Sequence, residues 1–159
     1  MHSHVRGTRA ASPFACSRST ADRAVRGAAG HAATPCRGND ARAVRERPDR
    51  PPEACDCSQC RKQSGHVLAA VNVKRNAIRV HGNDAVTWFK SSDKVERGFC
   101  SVCGSTLFWK PTVGDYEYTA VAMGVLDAPT GMKLSKHTFV GDKGDYYEIA
   151  DGLPQSDGY

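Results

Sequence analysis

From residue 55 onward the chain alternates short apolar runs with small polar residues, chiefly Gly, Asn and Asp. Apolar residues that recur with a period of two are typical of half-buried strands. No stretch shows a persuasive 3.6-residue period, and residues 133–137 would form one helical turn at most. The pattern therefore predicts an all-β domain. Its strands are expected at His66–Val73, Ala77–Val80, Val86–Lys90, Val95–Phe99, Thr106–Lys110, Tyr116–Val125, His137–Val140 and Tyr146–Ile149.

Large aromatic residues are expected to fill the space between the sheets. Trp88, Phe89, Phe108 and Trp109 lie within predicted strands, and burial of such rings removes much apolar area from water. An alternative role for Trp109, or for Phe99, is to line a substrate pocket. Residues 142–145 (DKGD) are expected to form a hairpin turn.

The first 54 residues differ in composition from the rest. They hold twelve Ala and ten Arg but no Leu, Ile, Trp or Tyr. Such a segment buries too little apolar surface to offset its ordering entropy, so residues 1–47 are predicted to be disordered. Three explanations are open: a transit peptide over the first twenty-one residues, a solvated tail, or an aberrant reading frame.

Charge and hydropathy exclude two classes of partner. The net charge of +5 lies in residues 1–54, whereas residues 55–159 hold twelve basic and twelve acidic residues. The predicted domain thus has no basic bias toward nucleic acid. No apolar run approaches the roughly 18–20 residues of a membrane span. We expect a protein of the cytoplasm, whose reducing conditions favour metal-binding cysteines over disulfides.

Five of the seven cysteines fall into two motifs. Cys55, Cys57 and Cys60 form a C-x-C-x-x-C motif, and Cys100 and Cys103 form a C-x-x-C motif that Gly104 follows. A two-residue gap lets both sulfurs of a turn face one metal ion, and the glycine permits a positive-φ turn. Soft thiolates select zinc or an iron–sulfur cluster, and the absence of a ferredoxin-type run favours zinc.

Two ligand sets fit these thiols. In the first, Cys57, Cys60, Cys100 and Cys103 close one structural site, as in a zinc ribbon that binds a partner without catalysis. In the second, Cys55, Cys57 and Cys60 hold a zinc ion with an open position, and Cys100 and Cys103 belong to another site. A redox dithiol formed by Cys57 and Cys60 is a third interpretation, against which the extra thiol of Cys55 argues.

The amino-acid sequence around both motifs resembles the sequences of a known protein family. CDCSQCRKQSGH (residues 55–66) and RGFCSVCGSTLFW (97–109) resemble the glutathione-dependent formaldehyde-activating enzymes, a family that includes the centromere protein V type of domain. HTFVGDKGDYYEIADGLPQ (137–155) is similar to the family's ending. The resemblance spans about residues 50–156, which defines a predicted zinc-binding domain over residues 48–156.

The resemblance implies a fold, a cofactor and an activity. The fold would consist of small stacked antiparallel sheets of the β-tent type around cysteine zinc sites. The second ligand set follows, with Cys55, Cys57 and Cys60 at a catalytic zinc and Cys100 and Cys103 at a structural one. The activity would be that of a carbon–sulfur lyase, which joins glutathione to formaldehyde as S-(hydroxymethyl)glutathione or cleaves that adduct.

One departure from the family concerns the second zinc. Family members carry an earlier C-x-C-G motif, whereas here Cys36 is followed by Arg37 and Gly38. The structural site is therefore expected to be incomplete, with Cys36, His31 or Cys16 as weak candidates for its missing ligands. This departure is why an aberrant reading frame is the favoured explanation of the N-terminal segment.

Residues beside the first motif have competing interpretations. Arg61 and Lys62 would bind the carboxylates of glutathione or remain on the surface. Gln63, Ser64 and His66 would hydrogen-bond a ligand or a cysteine sulfur. Asp56 is expected to be an exposed loop residue. His137 is expected to be a hydrogen-bonded structural histidine.

Overall fold

A computed structural model describes residues 31–32, 42–45, 48, 50–81, 85–126 and 128–159, with only the backbone described at 31–32, 42–45 and 81. These parts of the chain form eleven strands and one α-helix. The strands are β1 His31–Ala32, β2 Arg42–Arg45, β3 Glu53–Cys55, β4 Leu68–Lys74, β5 Arg79–His81, β6 Val86–Ser92, β7 Val95–Cys100, β8 Thr106–Pro111, β9 Tyr118–Ala122, β10 His137–Thr138 and β11 Gln155–Ser156. The helix α1 is Ser58–Ser64, and 3-10 helices occupy Arg75–Ala77, Met123–Val125 and Val140–Asp142.

The strands form two sheets of unequal size. The larger sheet has the order β11-β10-β3-β4-β9-β8-β7-β6, and the smaller has the order β1-β2-β5. Neighbouring strands are antiparallel except that β10 runs parallel to β3 and β11. The structure confirms the all-β fold class. It also describes β1 and β2 within residues 1–47. The rest of that segment lies outside the described residues, and its disorder stays a prediction.

The main core covers one face of the larger sheet. Val71 of β4 lies directly opposite Val121 of β9, and both are fully buried. Leu107 and Phe108 of β8 join them, and the smaller sheet contributes Val80. Because side chains alternate along a strand, the neighbours of these valines point to the other face. That second face carries the smaller Ala70 and Ala120 beside the first cysteine motif.

The exposure of two aromatic residues on the edge strand β6 corrects the prediction that they lie in the core. Trp88 is 38% exposed and Phe89 is 60% exposed, because β6 ends the larger sheet and no described strand covers its outer side. The Trp88 ring still stacks on Phe108, with 5.7 Å between ring centroids. Gly98 makes room for this stack, since a Cβ there would lie 2.9 Å from Phe108 Cδ2.

Several other elements differ from the predictions. The helix α1 was not predicted, because Cys60 is its single buried residue and no apolar period marks it. Residues 146–149 form no strand, and residues 142–145 form no hairpin turn. The predicted strand 116–125 is shorter, since β9 ends at Ala122 and a 3-10 helix follows.

Candidate functional site

The sulfurs of Cys55, Cys57 and Cys60 lie within 4.8 Å of one another. Strand β3 ends at Cys55, and the chain turns into α1, which Cys57 caps by accepting the Cys60 N–H at 3.4 Å. Gly65 ends the helix in the left-handed conformation, with φ of 84°, and donates its N–H to the Arg61 carbonyl. The end of β3 and the start of α1 thus bring the three thiols together, without a contribution from distant parts of the chain. We call these three residues the thiol cluster.

Two thiols of the cluster, Cys55 and Cys60, have pKa values that are shifted in opposite directions. The hydrogen bond with Cys55 is the main cause that lowers the pKa of Cys60 to about 6; burial opposes it and Arg97 adds to it. The same hydrogen bond raises the pKa of Cys55, and burial raises it further. A thiol that gives up its proton this readily is suited to act as a thiolate ligand.

Arg97 of β7 contacts the cluster, although three strands separate β7 from β3 in the larger sheet. Its Nη1 lies 3.6 Å from Cys60 Sγ and 2.9 Å from Gln63 Oε1, and the residue is 4% exposed. Its Nε donates to Ser91 at 3.2 Å, and its Nη2 to Gln59 at 3.4 Å. No local pattern indicated this role, because an arginine in a strand is usually a surface residue.

Asp56 is fully buried, which corrects the prediction of an exposed loop residue. Its carboxylate accepts hydrogen bonds from His137 Nδ1 at 2.9 Å and from the Tyr147 hydroxyl. His137 Nε2 lies 2.9 Å from Asp151 Oδ2, which confirms the expected hydrogen-bonded structural histidine. Burial and the bond to Asp56 raise the pKa of Tyr147 to about 12, so the hydroxyl stays protonated and donates. This network anchors the peptide between Cys55 and Cys57.

The second motif lies apart from the thiol cluster. Among the described residues, the only three-residue group of close metal-ligating atoms is Cys55, Cys57 and Cys60. Cys100 is fully buried in the main core, whereas Cys103 is exposed and its sulfur lies 3.1 Å from Ser105 Oγ. A single site made of Cys57, Cys60, Cys100 and Cys103 is therefore wrong for this fold. Gly104 has φ of 75°, as the motif predicted, but its N–H donates to the Cys100 carbonyl rather than to a sulfur.

Two hollows border the thiol cluster. A small cavity of about 50 Å³ lies on the alanine face of the sheet, and Cys55, Cys60, Leu68, Ala70 and Ala120 are among its lining residues. A more open cleft of about 360 Å³ also borders the cluster, and Arg97 and Phe139 are among its lining residues. Trp109 lines both the cavity and the cleft, whereas Phe99 lines neither. A role of Trp109 in a substrate pocket stays a prediction.

The polar residues after the cluster have local partners. Arg61 donates from Nε and Nη2 to the Asp142 carbonyl, at 3.2 and 3.1 Å, and Lys62 is exposed. Neither lines either hollow. His66 Nδ1 lies 3.3 Å from the Tyr146 hydroxyl, and Gln63 accepts from Arg97. The role of Arg61 and Lys62 in binding carboxylates stays a prediction.

The donor set of the cluster is compatible with zinc. Three soft sulfur donors on one side of an ion leave a fourth position of a tetrahedron for another ligand. The fold and site therefore define a mostly antiparallel β protein with a three-thiol cluster beside an open cleft.

The sequence matches the model of the glutathione-dependent formaldehyde-activating enzyme family over residues 35–142, and the chain belongs to that family. This confirms the family expected from the motifs. The match begins ahead of the predicted domain start at residue 48, and the boundaries 48–156 stay a prediction. No curated protein matches the sequence significantly. A crystal structure of a Rhodobacter sphaeroides protein is similar, with 17% sequence identity and a TM-score of 0.47, over 73% of this chain and 91% of that one.

In the part of the chain that the structure describes, no helix is long and apolar enough to cross a bilayer.

Proposed function

We propose that the protein is a zinc-dependent carbon–sulfur lyase that forms or cleaves S-(hydroxymethyl)glutathione. The observation that carries the proposal is the convergence of three sulfurs within 4.8 Å, next to an open cleft, in a chain of this family. Cys55, Cys57 and Cys60 would hold the ion. When bound there, zinc would remove the proton of a glutathione thiol and polarise a carbonyl oxygen.

The reaction itself needs little from the protein beyond orientation. As the glutathione thiol loses its proton, its sulfur adds an electron pair to the formaldehyde carbon and a C–S bond forms. The C=O π bond breaks onto the oxygen, which takes up the proton that the thiol gave up. The reverse reaction breaks that bond and regenerates thiol and aldehyde. The chain's part is to hold the two reactants in attack geometry, which can supply most of the rate increase. The cleft beside Arg97 would admit the thiol.

The small cavity supports a small carbonyl partner. Its volume of about 50 Å³ admits a molecule of very few heavy atoms, and the short side chains of Ala70 and Ala120 create that space. We expect formaldehyde to be used more than tenfold better than acetaldehyde, about the discrimination that one extra carbon produces in a closed pocket.

A second zinc site would use the other motif. We propose Cys100 and Cys103 as two of its ligands. Cys36, His31 and Cys16 are the candidates for the remainder, and their side chains lie outside the described residues. Two thiolates alone would hold zinc weakly, so this site would be the less stable of the two.

The proposal is tested by following S-(hydroxymethyl)glutathione formation by NMR with zinc-loaded protein. Wild type should accelerate equilibration of glutathione and formaldehyde, and Cys57→Ser should not, while Lys90→Ala, a surface change away from the cluster, should behave as wild type. Equal rates with wild type, with Cys57→Ser and without protein would disprove the enzymatic proposal.

A further inference from the structure

In the part of the chain that the structure describes, Arg97 carries a positive charge into the interior with no carboxylate paired to it. Among the described residues, its partners are the neutral side chains of Ser91, Gln59 and Gln63 and the sulfur of Cys60. A buried cation without a counter-charge is strongly unfavourable. Of these partners, the sulfur is the one that can carry negative charge. The guanidinium is therefore placed to balance the thiol cluster.

Direct binding of a substrate carboxylate fits this residue poorly. A guanidinium has five N–H groups, and four of them already point at the partners of Arg97. The remaining N–H cannot form the paired contacts by which arginine grips a carboxylate. With 4% exposure, the side chain is also held within the wall of the cleft.

We propose that Arg97 is a positioning residue that sets the affinity of the cluster's open position for an anionic sulfur ligand. This inference rests on the proposed function. Three thiolates around a divalent cation carry a net charge of −1, and an incoming thiolate would raise this to −2. The guanidinium, 3.6 Å from Cys60 Sγ, reduces each charge by one. Its attraction is therefore greater for the complex with the added thiolate than for the cluster alone.

The charge argument predicts discrimination between kinds of ligand. Removal of Arg97 should weaken the binding of a thiolate, which adds charge, more than the binding of a neutral nitrogen donor. A residue that merely supports the fold would affect both ligands alike. The distinction does not depend on turnover.

Cobalt-loaded protein provides the measurement, because thiolate–cobalt charge-transfer absorbance reports ligands at the ion. Each variant is titrated with 2-mercaptoethanol and, separately, with imidazole. For Arg97→Met we expect the Kd for 2-mercaptoethanol to rise about tenfold or more and that for imidazole to change less than about threefold. Arg97→Lys should recover most of the thiol affinity.

Arg75→Met is the control. Arg75 is an exposed arginine that donates to the Pro111 and Tyr118 carbonyls rather than to a side chain of the cluster. The Arg75→Met variant should have Kd values for both ligands near those of wild type. If Arg97→Met does not fold, Arg97→Gln removes the charge while it retains hydrogen bonding, and the same comparison applies.

The outcomes separate the inference from the proposed function. If Arg97→Met weakens the binding of both ligands equally, or of neither, the proposed role of Arg97 is overturned and the proposed function stands. Wild-type protein without charge-transfer absorbance overturns the proposed function and this inference with it.

Discussion

The two C-x-x-C motifs share a spacing but have different surroundings. Cys57 and Cys60 span the start of a helix, with a third thiol before them and a buried arginine beside them. Cys100 and Cys103 span the turn after β7, one sulfur in the apolar core and the other at the surface. Spacing thus identifies a pair of thiols that can share an ion. Under the proposed function, the third sulfur, the open cleft and the neighbouring cation are what would distinguish the catalytic site from the structural one.

The largest contrast is expected in catalysis. Cys60→Ser should lower the zinc content by about one ion per chain and activity on the order of 10³-fold, since catalytic residues that act as a unit fail together. A Cys57→Ser/Cys60→Ser double variant should be no worse than either single variant. Cys103→Ser should retain most of the activity per folded molecule. Elemental analysis measures the zinc content, and the NMR assay measures the activity. An equal loss of activity in Cys60→Ser and Cys103→Ser would refute the division of roles between the two motifs.

The anchoring of the two motifs should differ in stability. Asp56→Asn removes a buried charge that His137 and Tyr147 hold, and should lower the free energy of unfolding by about 3 kcal/mol. Ser105→Ala removes an exposed contact to Cys103 and should cost less than about 1 kcal/mol. Urea unfolding of the two variants measures the difference. A near-neutral Asp56→Asn would show that the network does not anchor the cluster.

The glycine that follows each motif should contribute to the free energy of unfolding. The two contributions should be similar to each other and smaller than that of Asp56. Gly65 and Gly104 have φ of 84° and 75°, and a Cβ would meet no atom within 4 Å at either position. Alanine there should cost about 1–2 kcal/mol from backbone strain alone. Gly124→Ala is the control, since Gly124 lacks a positive φ and has equally open surroundings. A cost at Gly124 as large as at Gly65 would point to another cause.

The smallest effect is a dependence on pH that belongs to the first motif's anchor. Burial alone would lower the pKa of His137, but the hydrogen bonds to Asp151 and Asp56 outweigh it and raise the pKa above 6.5. The fold therefore favours the protonated imidazole. The extra stability is fully present below pH 6.5 and is lost as the pH rises through the folded-state pKa.

Urea unfolding across neutral pH tests this dependence. Wild-type protein should lose stability as the pH rises from about 5.5 to 8.5. His137→Gln should show a flatter profile. An unchanged slope in the variant would assign the dependence to another group.

Much of the fold could be read from local patterns. Period-two alternation indicated the strands from β4 to β9, and the cysteine spacing indicated the thiol cluster and the positive φ of Gly104. The short helix α1 was missed because its caps stabilise it, through the Cys57 sulfur and Gly65, rather than an apolar stripe. Trp88 and Phe89 were misplaced because alternation does not tell an edge strand from a central one.

The sequence by itself determined the family, the β class and the three sulfurs that meet, because each depends on residues within a few positions of one another. Tertiary structure alone decided which other groups reach those sulfurs. Arg97 contacts Cys60 across 37 residues, and His137 contacts Asp56 across 81. Such contacts depend on strand order and register in the larger sheet, which no local pattern specifies. The charge and anchoring of the site are therefore properties of the fold.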